Sequence, residues 1–479
     1  MGSLASMLKW SCKARGRIAA GTFHSVGHYS SKGTPTVIPG LYEDLKCRQL
    51  ISQSTSEKLG EFLSTESRTV YCGFDPTASS LHLGHLFSLV TLLRFRQYGH
   101  GIIALIGGAT GTIGDPSGKN TERPLLEPEK LNANQKSLED QISNFFERAV
   151  SHLNLRQTPT LVLNNIEWLG KISALEFFTL TGRHARLSTM LAKDSVKGRL
   201  DSPQGLSFTE FSYQLFQAHD FWHLHQNYDC QLQVGGQDQW GNILAGIDLI
   251  HKRRSNPKDA FGFTTPLLTT SSGEKIGKSA GNALWLDPKL TSPFQFYQYF
   301  MKIPDAELQR LFLSFTFVEP EAVHKILKAH NETPEALDGQ RRLAQEVTSL
   351  VHGVDSLASA EAITSALFSD PQKLQTMSAS ELELAFGLKN APSDLVVALP
   401  KDAIINQPIV NVVCASGLTK SKGEATRLIR SNGLYINHQR VTASEPISAS
   451  LLQPADLVGG GWGLILRAGK ANYKVIRAI

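Results

Sequence analysis

Residues 69–86 read TVYCGFDPTASSLHLGHL. The stretch begins as a largely apolar run, turns at Asp75-Pro76 and enters a helix at His82-Leu83-Gly84-His85. Beyond it Leu86, Leu89, Val90 and Leu93 recur at helical spacing, and Gly99 is placed to end the helix. A strand feeding a helix through a tight turn is the first half of a βαβ unit. Downstream, 101–106 (GIIALI) is the near-continuous apolar run of a parallel strand covered on both faces. The pattern returns at 160–163, after an amphipathic stretch over about 132–153, and again at 231–234. Strands alternating with helices predict a parallel sheet, whose ligands bind beyond the carboxyl ends of the strands. The His-Leu-Gly-His turn and the 107–119 loop both follow strands directly, so both are expected on that edge.

The chain has 479 residues, 41% of them hydrophobic. That suffices for about three domains of roughly 150 residues. No apolar run reaches the ~18 residues of a membrane helix, so no membrane insertion is expected. The cysteines at 12, 47, 72, 230 and 414 are scattered and form no Cys-x-x-Cys pair, which argues against a disulfide framework or a structural zinc site. The net charge of +5 is unevenly spread. Residues 1–40 hold five Lys or Arg and no acid, residues 400–479 hold ten basic against four acidic, and the middle holds 33 basic against 39 acidic.

The first 35 residues carry Lys9, Lys13, Arg15 and Arg17 among several serines, the composition of an organellar transit peptide. Two other readings stay open: a myristoylation pattern at Met1-Gly2 with Ser6, and a plain basic tail. At the other end Lys420, Lys422, Arg427 and Arg430 ride a short helix before the Asn432-Gly433 turn and a short strand at 434–437. A basic helix beside small strands suits an RNA backbone, because Lys and Arg displace condensed counterions. A solvated charged face is the alternative. Between these ends, 292–387 reads as helical and 388–408, richer in proline, as a linker.

His82 and His85, three apart, share one helical face. Imidazoles at this spacing can ligate zinc, but no third ligand is evident nearby, and a merely capping role is also open. The reading that uses every feature is anion chemistry. A helix N-terminus attracts negative charge, Gly84 lets a flat ring approach the backbone, and the imidazoles donate to oxygens as charge builds in a transition state. The loop 107–123, GGATGTIGDPSGKNTER, is neither a Walker A loop nor a dinucleotide fingerprint: Ile113 replaces the required glycine and Asn120 the required Ser/Thr. Residues 207–210 (SFTE) signal a helix start. On that helix Tyr213, Gln217 and Asp220 form one stripe, which geometry alone would leave facing solvent, and Phe211, Leu215, Ala218 and Trp222 another. Lys275, Lys278 and Ser279 lie in a Gly/Ser-rich loop, 270–282. Lysines on a mobile loop can close on departing phosphates and contribute most in the transition state.

The His-Leu-Gly-His turn paired with the Lys275-Ile276-Gly277-Lys278-Ser279 loop resembles the two signatures of class I aminoacyl-tRNA synthetases. The GDPSGK segment and the 213–220 stripe resemble the tyrosine family among them, over about residues 40 to 479. The resemblance implies an α/β architecture: a Rossmann-like parallel-sheet catalytic domain (36–290) after a mitochondrial transit peptide (1–35), then a helical anticodon-side domain (291–390) and a small S4-like α+β RNA-binding domain (404–479). It implies that tyrosine carboxylate attacks the ATP α-phosphate, and that the terminal adenosine of tRNA(Tyr) then takes the tyrosyl group, in the mitochondrial matrix. By resemblance Thr77 and His82 grip the terminal phosphates and His85 lies near the ribose. Lys119, Arg123, Lys275 and Lys278 meet pyrophosphate. Cys72, Asp75, Gly84 and Ser279 belong to the ATP site, with Gly236 and Asp238 at the ribose hydroxyls.

For the amino acid, the resemblance assigns Asp115, Tyr213 and Gln217 to the ammonium, Gln239 to the carboxylate, and Tyr71 and Asp220 to the phenol. Lys420, Lys422, Arg427 and Arg430 would meet RNA. Mg²⁺ is expected with ATP, no organic cofactor and no protein-held metal are, and a homodimer would form through the insertion at about 165–210, with Leu175, Phe177, Phe178 and Leu180 as contact candidates. The chain departs from the family at Gln237, where Ser is usual, and at His219, where Tyr is common. Two alternatives remain: a small-molecule nucleotidyltransferase of the His-x-Gly-His type, which would not need the basic C-terminal module, and an added RNA-binding or splicing role.

Overall fold

A computed structural model describes residues 40–118, 121–122, 126–156, 158–253, 258–267, 269, 277–279, 282–368, 371–387, 395–442, 451–469 and 472–479. The segment expected to be a transit peptide (1–35), Lys119, Arg123 and Lys275 lie outside these residues.

Six strands form the first sheet: β1 (Gln53–Ser54), β2 (Thr69–Phe74), β3 (Gly101–Ile106), β4 (Thr160–Asn164), β5 (Cys230–Gly236) and β6 (Phe261–Thr265), in the order β1-β6-β5-β2-β3-β4. All neighbours run parallel except the edge strand β1, which is antiparallel to β6. The alternation of β2 and β3 explains why both faces are covered. Val70, Cys72 and Phe74, with Ile102, Ala104 and Ile106, pack into a core with the helices Leu83–Gln97 and Pro128–His152. Tyr71, Ile103 and Leu105 face the other way, onto Phe221 and Leu224 of the helix Phe208–Asn227 and Ile243, Ile247 and Ile250 of the helix Trp240–Arg253. The chain reverses its direction of travel across the sheet between β2 and β5, so the crevice at their carboxyl ends is the place for a ligand.

Helices from Pro293 to Phe386 follow, and the earlier of them share the core of the first sheet through Phe296, Phe300, Leu308, Leu311, Leu343 and Val347. A buried charged cluster reinforces the join. Arg48 donates to Asp44 at 2.6 Å and to the carbonyls of Leu313, Thr316 and Val318, while Arg94 approaches Asp44 at 3.7 Å and donates to the Thr316 carbonyl.

Two short strands, β7 (Lys278–Ser279) and β8 (Asn282–Ala283), form a hairpin beside the first sheet. The second large sheet uses β9 (Val396–Leu399), β10 (Leu434–Ile436), β11 (Gln439–Arg440), β12 (Gly463–Ala468) and β13 (Asn472–Ala478), ordered β11-β10-β12-β13-β9. The linker expected over 388–408 is therefore corrected in its middle. Val396–Leu399 pairs in parallel with β13, because this apolar run completes the edge of the C-terminal sheet. One face of that sheet packs on its own helices Ile409–Ala415 and Lys422–Arg430. The other packs Ile465 and Val475 against Ile363, Leu367, Leu382 and Phe386 of the preceding helices. Among the described residues no helix is long and apolar enough to cross a membrane.

Candidate active site

A cavity of about 580 Å³ opens at the carboxyl ends of β2, β3 and β5. It is lined by thirteen of the residues singled out above: Tyr71, Cys72, Asp75, Thr77, His82, His85, Asp115, Tyr213, Gln217, Asp220, Gly236, Asp238 and Gln239. The turn after β2 supplies Asp75 and Thr77, and the next helix starts at the histidines.

His82 caps that helix. Its Nδ1 accepts from Gly84 N at 3.1 Å, and His85 Nδ1 accepts from His82 N at 3.1 Å, so the two rings stack with centroids 3.9 Å apart. Acceptance at Nδ1 places each neutral ring's proton on Nε2, which leaves Nε2–H as a donor. Gly84 has a local reason: a Cβ there would meet His82 Cε1 at 2.9 Å. The expected approach of adenine is thus joined by a constraint within the turn itself.

The two distant signatures meet through the backbone. Leu83 N donates to Leu284 O at 3.0 Å, and Leu284 N donates to Gly277 O at 2.8 Å. Gly277 adopts φ +87°, and a Cβ on it would lie 2.9 Å from Leu83 Cβ. The β7 segment Lys278–Ser279 therefore begins one residue from the His82 turn.

Asp220 is buried within the 208–227 helix, whose start carries the expected capping box at Ser207 and Glu210. The Asp220 carboxylate accepts from Trp168 Nε1 at 2.7 Å and from Asn165 Nδ2 at 2.9 Å. Burial pushes its pKa up to about 7, against those two hydrogen bonds, and the Asp75 charge adds to the rise. Tyr71 lines the same cavity with its hydroxyl buried and without a hydrogen-bond partner among the described residues. Burial first, then the Asp220 charge, raises its pKa well above the usual phenol value. Gln217 Oε1 and Gln233 Oε1, on the same wall, are likewise buried without partners. Such orphaned groups are costly unless a ligand meets them. The stripe that helix geometry alone would expose faces inward.

A hydrogen-bonded chain ties the cavity together. Tyr213 Oη donates to Asp75 Oδ2 at 2.9 Å, Thr110 Oγ1 donates to Asp75 Oδ1 at 2.8 Å, and Asn165 Nδ2 reaches Thr110 Oγ1 at 3.1 Å. Asp115 accepts from Ser117 N at 2.9 Å and from Gln239 Nε2 at 2.7 Å. Asn165, Trp168 and Thr110 are participants that sequence reasoning missed. Of the two departures, Gln237 donates to Ser52 Oγ at 2.5 Å, and the buried His219 ring meets Thr181 Oγ1 at 2.8 Å, with its pKa lowered to about 4 by burial. In the insertion, Leu175, Phe178 and Leu180 are exposed, but Phe177 is buried against Phe216 at 4.4 Å. Phe177 is thus core and not a surface contact. Lys422, Arg427 and Arg430 lie on the helix Lys422–Arg430, with Lys420 just before it, and Ala425 and Ile429 point into the module.

A switch-point crevice holding a histidine-capped helix, with the Lys278–Ser279 hairpin against it, is the arrangement expected of a class I aminoacyl-tRNA synthetase. Comparison with known proteins agrees. The family described as tRNA synthetases class I (W and Y) matches residues 63–369, and the tyrosyl-tRNA synthetase C-terminal domain matches 388–479. A tyrosine–tRNA ligase of Roseiflexus castenholzii is 40% identical over 441 residues, 92% of this chain and 99% of that protein. C-terminally truncated mitochondrial tyrosyl-tRNA synthetases of Aspergillus nidulans and Coccidioides posadasii superpose with TM-scores of 0.64 and 0.61 at 33% and 32% identity, covering 68% and 67% of this chain and 94% and 90% of theirs. The chain belongs to the tyrosyl-tRNA synthetase family. It is a tyrosine–tRNA ligase that takes ATP, tyrosine and tRNA as substrates, which sets aside the small-molecule nucleotidyltransferase reading.

Proposed function

We propose that this ligase recognises tyrosine through Tyr71 and Asp220 and activates it through the His82 turn. The observation that carries this is the shared cavity, where an orphaned phenol and a buried carboxylate stand on the same wall system as the histidines. The substrate phenol donates to Asp220 and accepts from Tyr71, and Asn165 and Trp168 hold that carboxylate in place. Asp115, Tyr213 and Gln217 receive the ammonium, and Gln239 orients the carboxylate toward the α-phosphate. Cys72, Asp75, Gly236, Asp238 and Ser279 hold the nucleotide with Gly84 at the helix turn. Thr77, His82, His85, Lys119, Arg123, Lys275 and Lys278 stabilise the charge that develops on the phosphates. No enzyme side chain becomes covalently attached. Rate comes from alignment and from cations and donors that bind best in the transition state.

Among the described residues no three His, Cys, Asp or Glu side chains form a metal cluster. Mg²⁺ would come with ATP, held mostly through phosphate oxygens and water.

Residues 36–290 form the catalytic domain, 291–390 the anticodon-side domain and 404–479 the RNA-binding module, with β9 as its outer strand. Lys420, Lys422, Arg427 and Arg430 meet the tRNA backbone. The exposed Leu175, Phe178 and Leu180 support a homodimer through the insertion. The basic, acid-free first 35 residues and the two mitochondrial enzymes of similar structure support a transit peptide and work in the mitochondrial matrix. The test is tyrosine-dependent pyrophosphate exchange. Asp220→Ala should abolish it, and an unchanged rate and selectivity would remove the pocket assignment.

A further inference from the structure

One face of the C-terminal sheet has two unlike ends. Cross-strand register places Arg440 opposite Tyr435, Tyr435 opposite Arg467, and Arg467 opposite Tyr473, so these four side chains share a face. It is the face that, further along the strands, buries Ile465 and Val475 against the preceding helices. At that covered end Arg477 pairs with Glu383 at 3.2 Å, and Trp462 Nε1 donates to the same carboxylate at 3.0 Å. At the other end no ion pair among the described residues joins Arg440 or Arg467 to an acid. Instead the Arg467 guanidinium lies 3.8 Å from the Tyr435 ring centroid, with its Nε buried and unpartnered, and Arg440 donates to Tyr435 Oη at 3.1 Å. Tyr473 continues the row and meets Phe368 edge-on at 5.5 Å, and Phe368 is 52% exposed.

Arginines with no acid partner among the described residues, held against one tyrosine beside an exposed phenylalanine, would be a poor way to hold a sheet together. They match what unpaired RNA offers: flat bases that stack on aromatic and guanidinium planes, and phosphates that draw the remaining positive charge. The module's balance of ten basic to four acidic residues over 400–479 complements that partner.

We propose that the Arg440–Tyr435–Arg467–Tyr473 row is a stacking platform for an unpaired nucleotide of the tRNA. It lies on the opposite sheet face from the basic helix Lys422–Arg430, so the module grips RNA on two sides of its β10–β11 edge. The platform is held rigidly, because the same face is docked on the helices through Ile465 and Val475, and His438 reaches the Ala366 carbonyl at 2.8 Å. The inference rests on tRNA as the substrate and adds a contact that the basic helix does not supply.

The test compares the full chain with Tyr435→Ala, Tyr435→Phe and Arg440→Gln. Tyr435→Ala should weaken tRNA binding about 10-fold at fixed salt, with melting temperature and tyrosine-dependent pyrophosphate exchange unchanged. Tyr435→Phe, which keeps the ring, should bind nearly as the unaltered chain does. Arg440→Gln should reduce the slope of log affinity against log salt by about one. A folded Tyr435→Ala that binds tRNA at full strength overturns the proposal. Should that variant not fold, photo-crosslinking of 4-thiouridine tRNA to the unaltered chain decides: label in the 434–440 or 472–479 peptides supports the platform, and label only elsewhere overturns it. Failure of the unaltered chain to charge tRNA would instead fault the activity on which the inference rests.

Discussion

Burial gives Asp220 its unusual acid–base behaviour. Its folded pKa, about 7, lies above the unfolded value, so the native state retains a proton that the unfolded chain gives up between about pH 4 and 7. The stability contributed by this group is full below the unfolded value and is lost as pH rises through about 7. Asp220→Asn should therefore raise the melting temperature by a few degrees at pH 8 and by nothing near pH 4. In the proposed pocket, substrate recognition would run in the opposite sense, because the ionised carboxylate is the better acceptor from a phenol. KM for tyrosine should fall as pH rises through about 7 and stay flat in Asp220→Asn. A flat profile in the unaltered chain would contradict titration of Asp220 near pH 7. His82→Ala should lower kcat for exchange by roughly 10²–10³ with little change in tyrosine KM, since a donor aimed at developing charge acts on the transition state. Much of this wall was legible in the sequence, because the motifs name their own residues. Asn165 and Trp168 were not. They act on Asp220 from 55 and 52 positions away, and a short helical turn carries no periodic signal.

At the level of elements, strand-to-helix turns position the chemistry, and their contacts are short. Gly277→Ala would force a side chain into a left-handed backbone and against Leu83, so it should cost about 1–2 kcal/mol locally and slow exchange more than it raises tyrosine KM. Steady-state kinetics with a melting control checks this. The insertion depends on a buried, bidentate pair, Arg199 to Glu210 at 2.6 and 2.9 Å. Arg199→Met leaves the Glu210 carboxylate uncompensated and should destabilise the chain by about 3–5 kcal/mol, read by denaturant unfolding. The parallel strands were readable because both faces are buried, which makes each a continuous apolar run. Two elements misled for opposite reasons. β9 reads as linker because its partner strand is almost eighty residues away, in β13. Phe177 reads as surface because its neighbours Leu175 and Phe178 are exposed, while its own ring turns inward onto Phe216.

Over the whole molecule, the proposed activation site and the proposed RNA-binding module are built on different cores that are joined through the helices from Pro293 to Phe386. Removing residues 388–479 should leave tyrosine-dependent exchange intact and reduce tRNA charging by at least ~10², consistent with loss of several phosphate contacts. It should also lower the melting temperature, because Ile363, Leu367, Leu382 and Phe386 lose the sheet face that covers them. The measurement that bears most directly on the account is amino-acid-dependent pyrophosphate exchange by the chain starting near residue 36. Tyrosine should support exchange and phenylalanine should not, and Tyr71→Phe together with Asp220→Ala should erase that distinction or the activity. Exchange that proceeds equally with phenylalanine, or that survives both substitutions with its preference for tyrosine intact, would contradict the account.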